Sequence, residues 1–158
     1  MTSLAAVETA RAEHAALHRV IHDMEDLAYH LAGHPGPAAF RALDLILEVL
    51  DRHVTGYMAD EERTLYPLIA RQLGGPAATA TMIEDHREIG RWVDRLVGDR
   101  RDLEEAAPPQ LERARQGLYS LAALLDLHVR KEELIYLPAL RRVASASAPE
   151  RPPASITP

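Results

Sequence analysis

Apolar residues recur at threes and fours over four long stretches of the chain, the period of a helix with one buried face. From an N-cap at Ser3, the series Val7, Leu17, Val20, Ile21, Met24, Leu27 and Leu31 predicts a first helix, which Gly33-His34-Pro35-Gly36-Pro37 ends. A second runs from Pro37 through Phe40, Leu43, Ile46, Leu50, Val54, Met58, Leu65 and Ile69 to Gly74-Gly75-Pro76, bent at Pro67. Pro76 opens a third, carried by Met82, Ile83, Ile89, Val93, Leu96 and Leu103 as far as Ala107-Pro108-Pro109. From Leu111 the series Leu118, Leu121, Leu125, Leu134 and Leu140 predicts a fourth, with Pro138 near its end. No stretch alternates with the period of a strand. The pattern predicts an all-α fold, an antiparallel up-down four-helix bundle over residues 1–143. The Pro/Ser/Ala-rich residues 144–158 are expected to form a disordered tail.

An internal repeat sharpens this picture. Helices one and three align at an offset of 72 residues, Glu13-His14 on Asp85-His86 and Leu17 on Ile89. Helices two and four align at 71, Glu61-Glu62 on Glu132-Glu133 and Pro67 on Pro138. The chain therefore reads as a duplicated helical hairpin. Packed about a pseudo-twofold axis, equivalent residues should converge on the core, with His14 facing His86.

Composition removes several function classes. The 158 residues contain no cysteine, which excludes disulfides, thiolate metal sites and cysteine nucleophiles. With 18 basic and 24 acidic side chains the net charge is −6, and all the basic residues but Lys131 are arginines scattered along the chain. That distribution offers no footprint for nucleic acid or for an anionic membrane. No apolar run approaches the roughly 20 residues of a membrane span, and the start lacks the character of a secretory signal. A soluble, cytoplasmic protein is expected. Eight histidines remain to be explained.

His128 and Glu132, four apart, share one helix face, and the duplicate supplies Tyr57 and Glu61 at the same spacing. With His14 and His86, six nitrogen and oxygen donors converge near one level of the bundle, a set suited to iron or another borderline divalent metal. Two carboxylates from equivalent helices can bridge two ions. The Glu-x-x-His motif of ferritin-like bundles is missing, because no histidine here has a glutamate three residues before it.

The ordered elements Ala12-Glu13-His14, Tyr57-x-x-x-Glu61, Asp85-His86 and His128-x-x-x-Glu132, the acidic ones followed by Pro67 and Pro138, resemble the hemerythrin-like (HHE cation-binding) family over nearly all of the chain except the tail. The resemblance implies a four-helix bundle holding a non-haem di-iron centre, oxo- or hydroxo-bridged, with ligands at His14, Glu61, His86, His128 and Glu132. It also implies a ligand such as dioxygen, peroxide or nitric oxide. Two positions depart from the family pattern. Tyr57 stands where a histidine is expected, and is either a phenolate ligand favouring ferric iron or a hydroxyl hydrogen-bonded to a bridging oxygen. His18 follows His14 by four residues, a pair that animal hemerythrins carry on helix three, so His18 is a further candidate ligand.

The remaining candidates read as ordinary bundle residues. His53, one turn before Tyr57, aligns with Leu124, and His22, His30 and His34 leave the face or sit in the loop. Glu62 and Glu133 are solvated residues or supports for their neighbours, or alternatives to Glu61 and Glu132 as ligands, because a helix can turn either the fourth or the fifth residue after a ligand inward. Tyr29, Tyr66, Tyr119, Tyr136 and Trp92 are expected in the core or on its rim. A pocket lined by Leu, Ile and Val should admit a small diatomic or peroxide ligand but little organic substrate. Three functional classes follow: a peroxide- or oxygen-consuming oxidoreductase, an iron or oxygen sensing or storage module acting through a separate partner protein, and a helical scaffold with an empty or zinc-loaded site.

Overall fold

A computed structural model describes residues 3–103 and 108–146, and every long element among them is helical. Helix α1 is Ser3–Gly33. Helix α2 spans 37–73 and combines α-helical Pro37–Val49, Thr55–Asp60 and Tyr66–Leu73 with π-turns at Leu50–Val54 and Glu61–Leu65. A 3₁₀ turn at Pro76–Thr79 leads into α3, Ala80–Asp102. Helix α4 spans 108–146 as Pro108–Lys131, a π-turn at Glu132–Tyr136, and Leu137–Ala146. It starts at Pro108, three residues before the apolar series, and runs past residue 143. Residues 144–146 of the expected tail continue this helix, and the rest of the tail, from 147 onward, lies outside the described residues.

Each helix ends for a local reason. Gly74 closes α2 in the left-handed conformation at φ 96°, and the Gly75 N–H returns to the Ala70 carbonyl at 2.8 Å. The two later π-turns have their cause in the prolines. Pro67 and Pro138 have no N–H to donate and crowd the carbonyl four residues back, so the preceding residues, Tyr66 and Leu137, donate to Glu61 and Glu132 one residue further along. The helix widens into a π-turn at each of the two equivalent carboxylates. The π-turn at Leu50–Val54 has no proline after it; there the Thr55 hydroxyl donates to the Asp51 carbonyl.

Around the bundle, α1 packs on α2 and α4, and α3 packs on α2 and α4, as antiparallel neighbours. The interior has two apolar layers. The larger includes Leu17, Met24, Leu50, Leu96 and Leu121, and the smaller includes Val7, Ile69, Met82, Leu137 and Leu140. Between them lie His14, Glu61, His86, His128 and Glu132, all 5% exposed or less. Gly117 lets α4 approach α3, since a β-carbon there would sit 2.7 Å from Leu96 Cδ2. Of the aromatics expected in the core or on its rim, Tyr29 and Tyr119 are 73% and 40% exposed and lie outside the core. No described helix is long and apolar enough to cross a membrane.

Candidate metal centre

Burying three imidazoles and two carboxylates is costly unless they satisfy one another or hold a cation. Their contacts follow a repeated plan. His86 donates from Nδ1 to Glu62 at 2.8 Å, and His14 turns Nδ1 to Glu133 at 3.3 Å. These are the same interaction in the two hairpins, each histidine being held by the carboxylate of the other hairpin. His128 likewise turns Nδ1 to Asp85 at 3.2 Å, and Lys131 binds the same Asp85 oxygen. An outer carboxylate on Nδ1 orients the ring and leaves Nε2 facing inward, the usual support of a metal-ligating histidine.

The inward atoms converge. His86 Nε2 and His128 Nε2 lie 3.2 Å apart, and Glu61 Oε2 is 3.4 and 3.9 Å from them. On the other side His14 Nε2 meets Glu132 Oε2 at 2.8 Å. Ligand atoms of Glu61, His86 and His128 fall within 4.8 Å of one another, and so do those of His14, Glu61 and Glu132. Glu61 belongs to both groups. Its two buried oxygens have no hydrogen-bond partner among the described residues. A buried carboxylate whose oxygens have no hydrogen-bond partner, set among inward-facing imidazole nitrogens, is a donor set that fits a bound cation.

Electrostatics without metal agree. Burial works against charging His128, but Asp85 and Glu61 outweigh it and raise the imidazole to about 9. Burial opposes charge on His14 too, and Glu132 overcomes it, raising this group as well. Burial would push Glu61 up, yet His128 and His86 hold it at about 2. Glu132 is raised by burial and then by the Glu61 charge. In the metal-free protein, protons occupy the place of the missing positive charge.

Tyr57 stands at this centre. Its hydroxyl is buried without a partner among the described residues, and its ring meets that of His14 edge-on with centroids 6.2 Å apart. Burial, followed by the charges of Glu61 and Glu132, pushes the phenol well above its ordinary value. His18 lies outside the cluster: its side chain is 40% exposed and its Nε2 faces Glu133 at 3.7 Å. His14 does not stack on His86; Tyr57 is its ring neighbour, while His86 packs on Tyr66 and His128.

Tyr66 packs in the core as its pattern predicts, and it also reaches the cluster. Its hydroxyl donates to Glu132 Oε1 at 2.8 Å and sits 2.9 Å from His86 Nε2. The repeat hid it, because its counterpart is Leu137. The available signal was its place five residues after Glu61, which a π-turn brings onto the ligand face. The expected apolar pocket is also different. A cleft of about 460 Å³ lies against Tyr57 and Glu61 between α1 and α2, and its apolar wall is mostly the small residues Ala6, Ala10, Gly56 and Ala59, with Leu65 the one large aliphatic side chain.

Fold and cluster together define a helical-bundle protein with a buried cation-binding site. A family model for the hemerythrin HHE cation binding domain matches residues 5–140, and the chain belongs to that family. No curated protein and no solved structure matches the chain significantly.

Proposed function

We propose that the cluster holds two iron ions and that the protein binds or reacts with a small ligand: dioxygen, peroxide or nitric oxide. The observation that carries this reading is Glu61, a buried carboxylate with no donor on either oxygen, common to a His86/His128 group and a His14/Glu132 group. Nitrogen and oxygen donors in this ratio suit iron better than softer ions. Bound iron supplies Lewis-acid and redox chemistry toward the ligand.

The chain's own residues do the rest. His86 and His128 would hold one ion and His14 and Glu132 the other, with Glu61 between them. Glu62, Glu133 and Asp85 keep the three imidazoles turned inward. Tyr66 occupies one oxygen of Glu132, and His14 the other, so Glu132 is oriented before any ion arrives. Tyr57 keeps its proton in the metal-free protein through burial and the charge of Glu61; a cation beside Glu61 removes the second cause and favours the phenolate. The apolar layers on either side exclude bulk water from the cluster.

Metal analysis of protein purified after iron-replete expression tests this directly. Two irons per chain are expected, with an absorption spectrum that responds to azide or nitric oxide. Iron far below one equivalent refutes the reading. Steady consumption of added peroxide distinguishes an enzyme from a binding or sensing module.

A further inference from the structure

The two hairpins repeat one another closely around the cluster, so a place where they differ needs a reason. At the cleft beside Tyr57 the first hairpin carries small residues where the second carries large ones. Ala10 stands where the second hairpin has Met82, Gly56 where it has Leu127, and Asp60 where it has Lys131. Met82 is fully buried, and the Lys131 ammonium is bound to Asp85 beside His128. The first hairpin has instead a cleft of about 460 Å³, within the range of sites for small organic molecules and far larger than a diatomic ligand needs.

Gly56 is informative by itself. Glycine inside a helix is destabilising, and nothing in the backbone here requires it, since Gly74 and Gly75 are the glycines with positive φ. A β-carbon at 56 would meet nothing within 4 Å. The residue therefore leaves the cleft open, and along it lie residues whose buried polar atoms lack partners among the described residues. Glu61, 3% exposed, has both oxygens unpaired, and the Tyr57 hydroxyl is buried and unpaired; both residues line the cleft.

We propose that this cleft is a binding site for a small organic oxyanion, a carboxylate or phenolate, whose head group reaches the metal position at Glu61 while its body lies on the strip formed by Ala6, Ala10, Gly56 and Ala59. This rests on the metal-binding reading above. The head-group chemistry follows from what faces it. A cation at Glu61 takes an oxygen donor. Arg52 and Arg63 also line the cleft, ion-paired with Glu48 and Asp60, and partly neutralise its acidic side chains. The body needs no specific partner beyond a flat wall of small side chains.

Benzoate is a suitable probe, with azide as a ligand small enough to ignore the cleft walls. The iron-loaded full chain should bind one benzoate at millimolar concentration or below by calorimetry, with a change in the visible spectrum. Gly56→Leu, which copies Leu127, should retain its iron and its response to azide but weaken benzoate by about tenfold or more. Ala10→Met, which copies Met82, narrows the opposite wall and should act alike should Gly56→Leu fold poorly. Benzoate without heat or spectral change, or with unaltered affinity in a folded cleft variant, overturns the proposal while leaving the metal-binding reading intact. A wild-type chain that takes up no iron overturns the metal-binding reading itself.

Discussion

The ring of Tyr57 meets His14 edge-on at 6.2 Å, the counterpart in the first hairpin of the 4.7 Å contact between His128 and His86 in the second. A phenol thus takes the structural place of an imidazole. Iron-loaded protein should show a visible charge-transfer band from a phenolate, and Tyr57→Phe should abolish it while leaving iron content near two per chain. Persistence of the band in Tyr57→Phe would assign it to another group.

Glu61 is the one side chain common to both ligand groups. Glu61→Gln removes the charge common to both groups but keeps the shape, so bound iron should fall below one per chain with little loss of helicity. Glu62→Gln weakens only the support behind His86 and should reduce metal affinity by about 10–100-fold. Metal analysis and circular dichroism on the two variants check the contrast.

The raised imidazoles give a pH dependence with a definite sign. Folding raises His128 from its ordinary 6.5 to about 9, so the cation must displace a proton below that pH. Metal affinity should rise with pH between 6.5 and 9, by about tenfold per unit for each proton displaced. Stability of the metal-free protein runs the opposite way. The stabilisation linked to His128 is fully present below 6.5 and is lost as pH rises through 9. Chelator competition measures the first trend, and chemical denaturation of the metal-free chain the second.

Tyr66→Phe leaves Glu132 Oε1 without its hydroxyl donor in a dry site. The metal-free protein should lose about 1–3 kcal/mol. A bound cation can satisfy that oxygen, so the loss should shrink once iron is loaded. Denaturant titrations with and without iron test the difference.

At Gly117 the constraint is packing. Gly117→Val drives carbon into the fully buried Leu96 and should cost about 1–3 kcal/mol without altering metal content. A thermal melt and a metal assay suffice to check both parts.

Helical period located all four helices, and the repeat singled out His14, Glu61, His86, His128 and Glu132, because paired polar residues on an otherwise apolar face stand out twice. The π-turns escaped, since spacings such as Val54, Met58, Glu61 and Leu65 also fit an α-helix. Tyr66 escaped for the opposite reason: the repeat pairs it with a leucine, and duplication reveals shared features while masking new ones. The cleft was hidden because Ala10 and Gly56 are individually unremarkable; only comparison with Met82 and Leu127 gives their smallness a meaning.

The crossed supports, Glu133 behind His14 and Glu62 behind His86, have a consequence for the molecule's divisibility. Cut at the turn between α2 and α3, each half would keep a histidine and lose the carboxylate that aims it. An isolated hairpin could restore that partner by pairing with a second copy of itself, giving a symmetric dimer with identical halves. Joining the halves in one chain releases them from that identity, and the two sides of this cluster have used the freedom, one gaining a phenol and a cleft, the other keeping its second imidazole.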